Sequence, residues 1–203
     1  MHRLVPRWAR IATISLLLLA FAGVGLASAL PRGNPADRLV AVAMDGYAYD
    51  RAVGCRKRAQ KGTLALQDWL RKNAAGASWG IMRCERLGTD SFSLHAEGRA
   101  LDWHLDAGNR AQRRAANRLI KLLLAPDKAG NPHALARRMG IQEIIWNCRS
   151  WWSGSRGMGP YSQCFNKRGK PLKNVNRTLA HKDHIHFGLN WRGARKRSTF
   201  WGR

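Results

Sequence analysis

The chain has 203 residues, 45% hydrophobic, with 36 Lys+Arg against 12 Asp+Glu and a formal net charge of +24. No repeat, long linker or low-complexity tract divides it, so an array of several domains is excluded and one domain with a real core is expected. A charge this large repels itself and is not needed for folding. It points to an anionic partner, such as wall-polymer phosphates or lipid headgroups, or to no more than a solvated basic surface. The basic residues are scattered rather than striped and no nucleic-acid module pattern is present, so no specific nucleic-acid partner is expected.

Residues 1–29 read as an export signal. Arg3, Arg7 and Arg10 precede the apolar run Ile11 to Leu26, and Ala27-Ser28-Ala29 supplies a small-x-small cleavage site. An uncleaved membrane anchor is the alternative, because the apolar run approaches a bilayer span. Residues 30–44 are expected to be a short mobile lead-in, and residues 45–203 a single domain. Cys55, Cys84, Cys148 and Cys164 all follow the export segment. An even count outside the cell favours two disulfides. Of the three pairings, Cys55–Cys84 and Cys148–Cys164 are favoured because each brackets one local unit.

Thr63 to Asn73 is predicted to be a helix with Leu64, Leu66, Trp69 and Leu70 as its apolar positions. Ser78 to Cys84 reads as a strand. It carries Arg83, a candidate for binding a substrate carboxylate or a developing oxyanion, with a plain surface arginine as the equal alternative. Gly98 permits a tight turn after His95. From Arg99 the pattern alternates: Leu101, Trp103 and Leu105 share one face, and Ala100, Asp102 and His104 the other. Asn109 can cap a helix ending before Pro126, with Ala115, Leu119, Leu122 and Leu123 inward. Pro132 to Met139 is a short helix ended by Gly140, and Ile141 to Asn147 a strand. Trp151 to Lys173 reads as a loop, in which Trp151, Trp152 and Tyr161 are candidates for a substrate groove or for core filling. In the last strand Ile185, Phe187, Leu189 and Trp191 alternate with His184, His186, Gly188 and Asn190. Helices and strands mixed in this order predict an α+β fold.

Two segments carry chemistry. Ser93-Leu94-His95-Ala96-Glu97-Gly98-Arg99-Ala100-Leu101-Asp102-Trp103 and, about eighty residues later, His181-Lys182-Asp183-His184-Ile185-His186 together offer two histidines and a carboxylate as ligands. That is the ligand set of a zinc hydrolase with one coordination position open, where a bound water reaches a pKa of roughly 7. If the two strands are neighbours with matching faces, His95, Asp102 and His186 converge on one metal. His2, His104 and His133 are read as ordinary histidines, with a supporting role open to His104.

At these residues the chain resembles the LAS metallopeptidases, the group of lysostaphin-type endopeptidases, D-alanyl-D-alanine carboxypeptidases and the hedgehog signalling domain. Within it the pattern is most similar to the VanY-type branch and its secreted actinobacterial members, through Gly130-Asn131, Ala136-Arg137-Arg138-Met139-Gly140-Ile141, Ile144-Ile145-Trp146-Asn147 and the final Asp183-His184-Ile185-His186. The resemblance spans roughly residues 45 to 203. It implies a small antiparallel sheet with flanking helices, one Zn2+ per chain on His95, Asp102 and His186, and cleavage of peptide bonds in peptidoglycan stems, as carboxypeptidase or endopeptidase. A monomer is expected. Two bases compete. Alternation puts His184 on the His186 face, whereas the acid-x-x-His arrangement of the resemblance favours Asp183, with His184 stabilising charge. Asp183 is the expected base. The rival functions are a non-catalytic zinc domain that binds wall or partner, and, on charge alone, a nucleic-acid binder.

Overall fold

The computed structural model describes residues 30–89 and 91–202. The proposed export segment lies outside the described residues. The fold is α+β. Helix α1 (Lys61–Asn73) precedes strands β1 (Ala77–Gly80), β2 (Arg86–Gly88), β3 (Ser91–Phe92) and β4 (Ala100–His104). Helices α2 (Arg110–Leu124) and α3 (Ala134–Met139) follow, then β5 (Ile141–Trp146), β6 (Arg149–Trp152), β7 (Gly159–Pro160), β8 (His184–Leu189) and α4 (Trp191–Ala194). The main sheet is antiparallel throughout, in the order β1-β4-β8-β5-β6-β7, and β2 and β3 form a separate ribbon.

The sheet's inner face is the core. Leu101, Trp103, Ile144, Ile185, Phe187 and Leu189 pack with Leu66 and Leu70 of α1 and with Leu119 and Leu123 of α2. Helix α2 starts where expected: Asn109 Oδ1 accepts from the backbone N–H groups of Ala111 (3.0 Å) and Gln112 (3.1 Å). Its buried stripe is Ala116, Leu119, Ile120 and Leu123, a strict i, i+3, i+4, i+7 set. The helix is therefore rotated slightly from the expected face, which had Ala115 and Leu122 inward. In α1, Leu66 and Leu70 are buried while Leu64 is exposed.

Two stretches differ from expectation. The lead-in is docked: Pro35–Leu39 forms a 3-10 turn, Ala36 and Leu39 are buried, and Lys128 N–H donates to Asp37 Oδ1 at 2.8 Å. The stretch expected to be a loop from Trp151 contributes the end of β6 and all of β7 to the sheet. Its many glycines and lysines hid the short alternation Arg149 to Trp152.

Both disulfides form as expected, Cys55–Cys84 and Cys148–Cys164, each with Cα atoms 5.5 Å apart. They suit an oxidising, extracellular setting. No helix among the described residues is long and apolar enough to cross a membrane. The sequence separations are 29 and 16 residues. Loop-closure entropy then makes each bond worth about 3–4 kcal/mol. Replacing Cys55 and Cys84 together by serine is expected to lower the melting temperature more than replacing Cys148 and Cys164. Equal melting temperatures in all three proteins would show that the bonds do not restrain the unfolded chain.

Candidate metal centre

The site lies on the outer face of the sheet, where β4 and β8 run side by side. Their register pairs Asp102 with His186 and His104 with His184. The parity read from the sequence thus places Asp102 and His186 on one face. His95 arrives from a 3-10 turn, Leu94–Glu97, that is closed by Gly98 in the left-handed region at φ 68. A Cβ at Gly98 would also fall 2.4 Å from the Arg58 carbonyl oxygen, so glycine is needed for both reasons.

His95 Nε2, Asp102 Oδ1 and His186 Nδ1 form a triangle with sides of 3.1, 3.1 and 3.0 Å. All three residues are buried. Their outer partners set the protons. His95 Nδ1 lies 2.8 Å from the Ile81 carbonyl oxygen, which only accepts, so His95 carries its proton there. His186 Nε2 lies 2.7 Å from Glu143 Oε1, so its proton points to that carboxylate. In the neutral rings the inward nitrogens would then present lone pairs, and Asp102 Oδ1 presents a third. With both rings neutral, three acceptors converge here, and the three residues could hold a metal ion.

Burial alone would raise the Asp102 carboxyl, but hydrogen bonds from His186 and His95 outweigh it and hold it far below the usual carboxylate range. Burial pushes His95 down. It would push His186 down too, but Asp102 and Glu143 flank that ring and raise it to about 9. Without a metal, the proton that separates the acceptors rests on His186.

The other expected residues fall in three places. Arg83 Nη1 donates to Asp102 Oδ2 at 2.6 Å and its Nε to Glu85 at 3.1 Å, so it holds the oxygen that the histidines do not use. It also lines a cavity of about 420 Å³ at the site, together with Trp152, Tyr161, His184 and His186. Trp151 does not reach it. This side chain is 0% exposed and packs in the core, because alternation along β6 sends Trp151 and Trp152 to opposite sides. Its assignment to the groove is corrected to core filling.

Asp183 stands behind His184 rather than at the ligand triangle. His184 Nδ1–H donates to Asp183 Oδ1 at 2.7 Å, and Thr178 Oγ1 donates to Asp183 Oδ2 at 2.6 Å. Burial would raise this carboxyl, but those two hydrogen bonds hold it below its ordinary range. His184 Nε2 is turned toward Asp102 Oδ1, 3.5 Å away, and is buried with no hydrogen-bond partner among the described residues. His104 supports the turn: its ring nitrogen bonds the Asp183 carbonyl at 2.8 Å, and Trp79 stacks on it at 4.4 Å. His133 bonds Tyr47 and Arg156, away from the site.

Sequence reasoning passed over two residues. Glu143 sat in the predicted strand Ile141 to Asn147 and was given no role. His181 had no assigned role, yet it lines the cavity with its ring 4.7 Å from His184 and 5.7 Å from His186. It donates Nδ1–H to the Leu179 carbonyl, and burial with its two imidazole neighbours pushes it down to about 3. The spacing His181-x-x-His184-x-His186 was the available signal.

Neither a curated protein nor a solved structure matches the chain. A family model does, over residues 55–175, a span that contains His95, Asp102 and Glu143 and stops short of His184 and His186. That match covers more than half of the 203 residues, and the chain belongs to the family described as VldE, C-terminal domain.

Proposed function

We propose that this chain is an exported zinc-dependent peptidase acting on peptidoglycan stem peptides. The observation that carries the metal is the meeting of three ligand atoms at 3.0–3.1 Å on a buried sheet face. Two imidazoles and one carboxylate suit zinc, with a position left for water or substrate. The peptide substrate rests on the resemblance of the two ligand segments to the LAS metallopeptidases. When bound, zinc would supply Lewis-acid polarisation of a carbonyl and a lowered pKa for water.

The chain's own groups do the rest. His184 Nε2 takes the proton of the attacking water, and Asp183 holds the opposite Nδ1–H so that the ring keeps its direction. This exchanges the roles first expected of the two residues. Arg83 fixes Asp102 Oδ2 and keeps further N–H donors for a substrate oxygen. Trp152 and Tyr161 wall the groove. The basic surface draws the protein to anionic wall polymers.

The direct test incubates zinc-loaded protein with muropeptides of known stem and reads products by mass spectrometry. Loss of a terminal residue marks a carboxypeptidase, and cut cross-links an endopeptidase. Intact muropeptides with zinc bound would make the chain a non-catalytic zinc domain. A parallel arm compares intact walls with walls stripped of anionic polymer, and equal, salt-insensitive binding would remove that partner.

Metal binding should depend on pH in a defined direction. His186, raised from 6.5 to about 9, holds a proton more tightly when folded than when unfolded. The metal-free fold gains stability from it below pH 6.5 and loses that gain as pH rises through about 9. Zinc needs the same nitrogen without its proton. Zinc affinity should therefore rise about tenfold per pH unit over that window, while the melting temperature of metal-free protein falls. Chelator competition and thermal melts at matched pH check both signs.

A further inference from the structure

We infer that Glu143 is a positioning residue of this centre, selecting the nitrogen that His186 turns inward, and that Gly188 is the gap through which it reaches. The inference rests on the zinc reading above.

The two ligand histidines face the centre through opposite nitrogens, His95 through Nε2 and His186 through Nδ1. Each choice is made from outside. For His95 the outer acceptor is the Ile81 carbonyl, fixed in the backbone. For His186 it is a side chain, Glu143, on the neighbouring strand β5. Without that acceptor, nothing among the described contacts of His186 favours a proton on Nε2. Its other polar contacts, Asp102 and His95, both lie at Nδ1. A proton drawn to Nδ1 by Asp102 would occupy the position a metal needs. An anionic acceptor also makes the opposite nitrogen a stronger donor to a metal.

Glu143 is not opposite His186. The register pairs Glu143 with Gly188 and Ile145 with His186. The Glu143 side chain must therefore run diagonally, over position 188. A Cβ built on Gly188 would lie 2.6 Å from Glu143 Cγ and 2.9 Å from its Cδ. Any other residue there would push the carboxylate off its path. Gly188 lies inside a strand, where glycine costs stability and packs nothing, and this gap explains its presence. The result is a carboxylate only 6% exposed whose contact with His186 is short.

The test measures zinc affinity by chelator competition in the full exported chain and in Glu143→Ala, Glu143→Gln and Gly188→Ala. Glu143→Ala should weaken zinc about 10–100-fold. Glu143→Gln should weaken it less, because the amide oxygen still accepts from Nε2–H. Gly188→Ala keeps all three ligands and the carboxylate, yet should fall with Glu143→Ala. The double variant should be no worse than either, since one contact is lost in both. Gly188→Ala also crowds Leu94 Cδ1, at 2.4 Å, so Leu94→Ala is added to relieve that contact. A drop that persists belongs to Glu143. Nitrogen-15 histidine spectra of the zinc-loaded protein give a second readout, which a merely structural role would not move. The native chain should show the His186 proton on Nε2, and Glu143→Ala should lose that protected signal. Native affinity in both Glu143→Gln and Gly188→Ala, with the Nε2 proton unchanged, overturns the inference even if Glu143→Ala fails to fold. A native chain that takes no zinc, or keeps it in His95→Ala, instead sinks the underlying site.

Discussion

His186→Ala is expected to abolish stoichiometric zinc binding, and His95→Ala and Asp102→Ala to do the same. Each removes one corner of a triangle whose sides are 3.0–3.1 Å. A structural change outside the ligand set costs roughly 10–100-fold in affinity, and loss of a ligand should exceed that. The three variants should differ in the metal-free state. His186 sits between Asp102 and Glu143 and, when protonated, donates to each from a different nitrogen, Nδ1 to Asp102 and Nε2 to Glu143. Its removal leaves two buried carboxylates facing each other with a donor lost, a defect of about 3–5 kcal/mol. His95→Ala leaves one carbonyl, Ile81 O, without its donor, which costs about 1–3 kcal/mol. Metal-free His186→Ala should therefore melt well below metal-free His95→Ala. Zinc content after dialysis and paired melting curves decide both points. Full zinc occupancy in His95→Ala and His186→Ala would mean that the metal, if any, lies elsewhere.

What the sequence could reveal of this site follows from range. Parity is local, so the facing of Asp102 and His186 was legible from each strand alone. The register that sets Asp102 opposite His186 joins residues 84 apart in sequence, and no local pattern fixes it. Glu143 was missed for the same reason: its link to His186 is diagonal across β5 and β8, and a single acid in an apolar strand has no spacing signature. Gly188 was read only as a small member of the polar face. The groove assignment failed at Trp151 because composition outvoted a four-residue alternation, which places adjacent tryptophans on opposite sides. The lead-in was expected to be mobile from its position alone, whereas Ala36 and Leu39 are buried and Asn34 and Asp37 find backbone partners at Pro126 and Lys128.

The order of rate losses at Asp183 and His184 should identify the base. His184→Ala is expected to keep its zinc and lose roughly 10²–10⁴-fold in turnover, the range for removing a general base. Asp183 acts through the ring. Its Oδ1 accepts the Nδ1–H and its Oδ2 is held by Thr178, so neither oxygen is free for water. Asparagine at 183 can still accept the Nδ1–H through its amide oxygen, with its NH2 facing the Thr178 hydroxyl, which can accept. Direction is then preserved while the negative charge behind the ring is lost. Asp183→Asn should therefore lose less than His184→Ala. Asp183→Ala, which also frees the ring to turn, should fall between them. All three must be compared at measured zinc content, because His184 is not a corner of the ligand triangle and its loss should leave the metal in place. Thr178→Val adds an independent check. It removes one of the two bonds that hold Asp183, so it should cost a fraction of what Asp183→Ala costs and nothing further in Asp183→Ala itself. Collapse in Asp183→Asn beside near-normal turnover in His184→Ala would return the proton to Asp183. That result would require the carboxylate to leave both His184 and Thr178 before substrate is cleaved, and crosslinking or spectroscopic probes of the 176–183 turn would then have to find it moved.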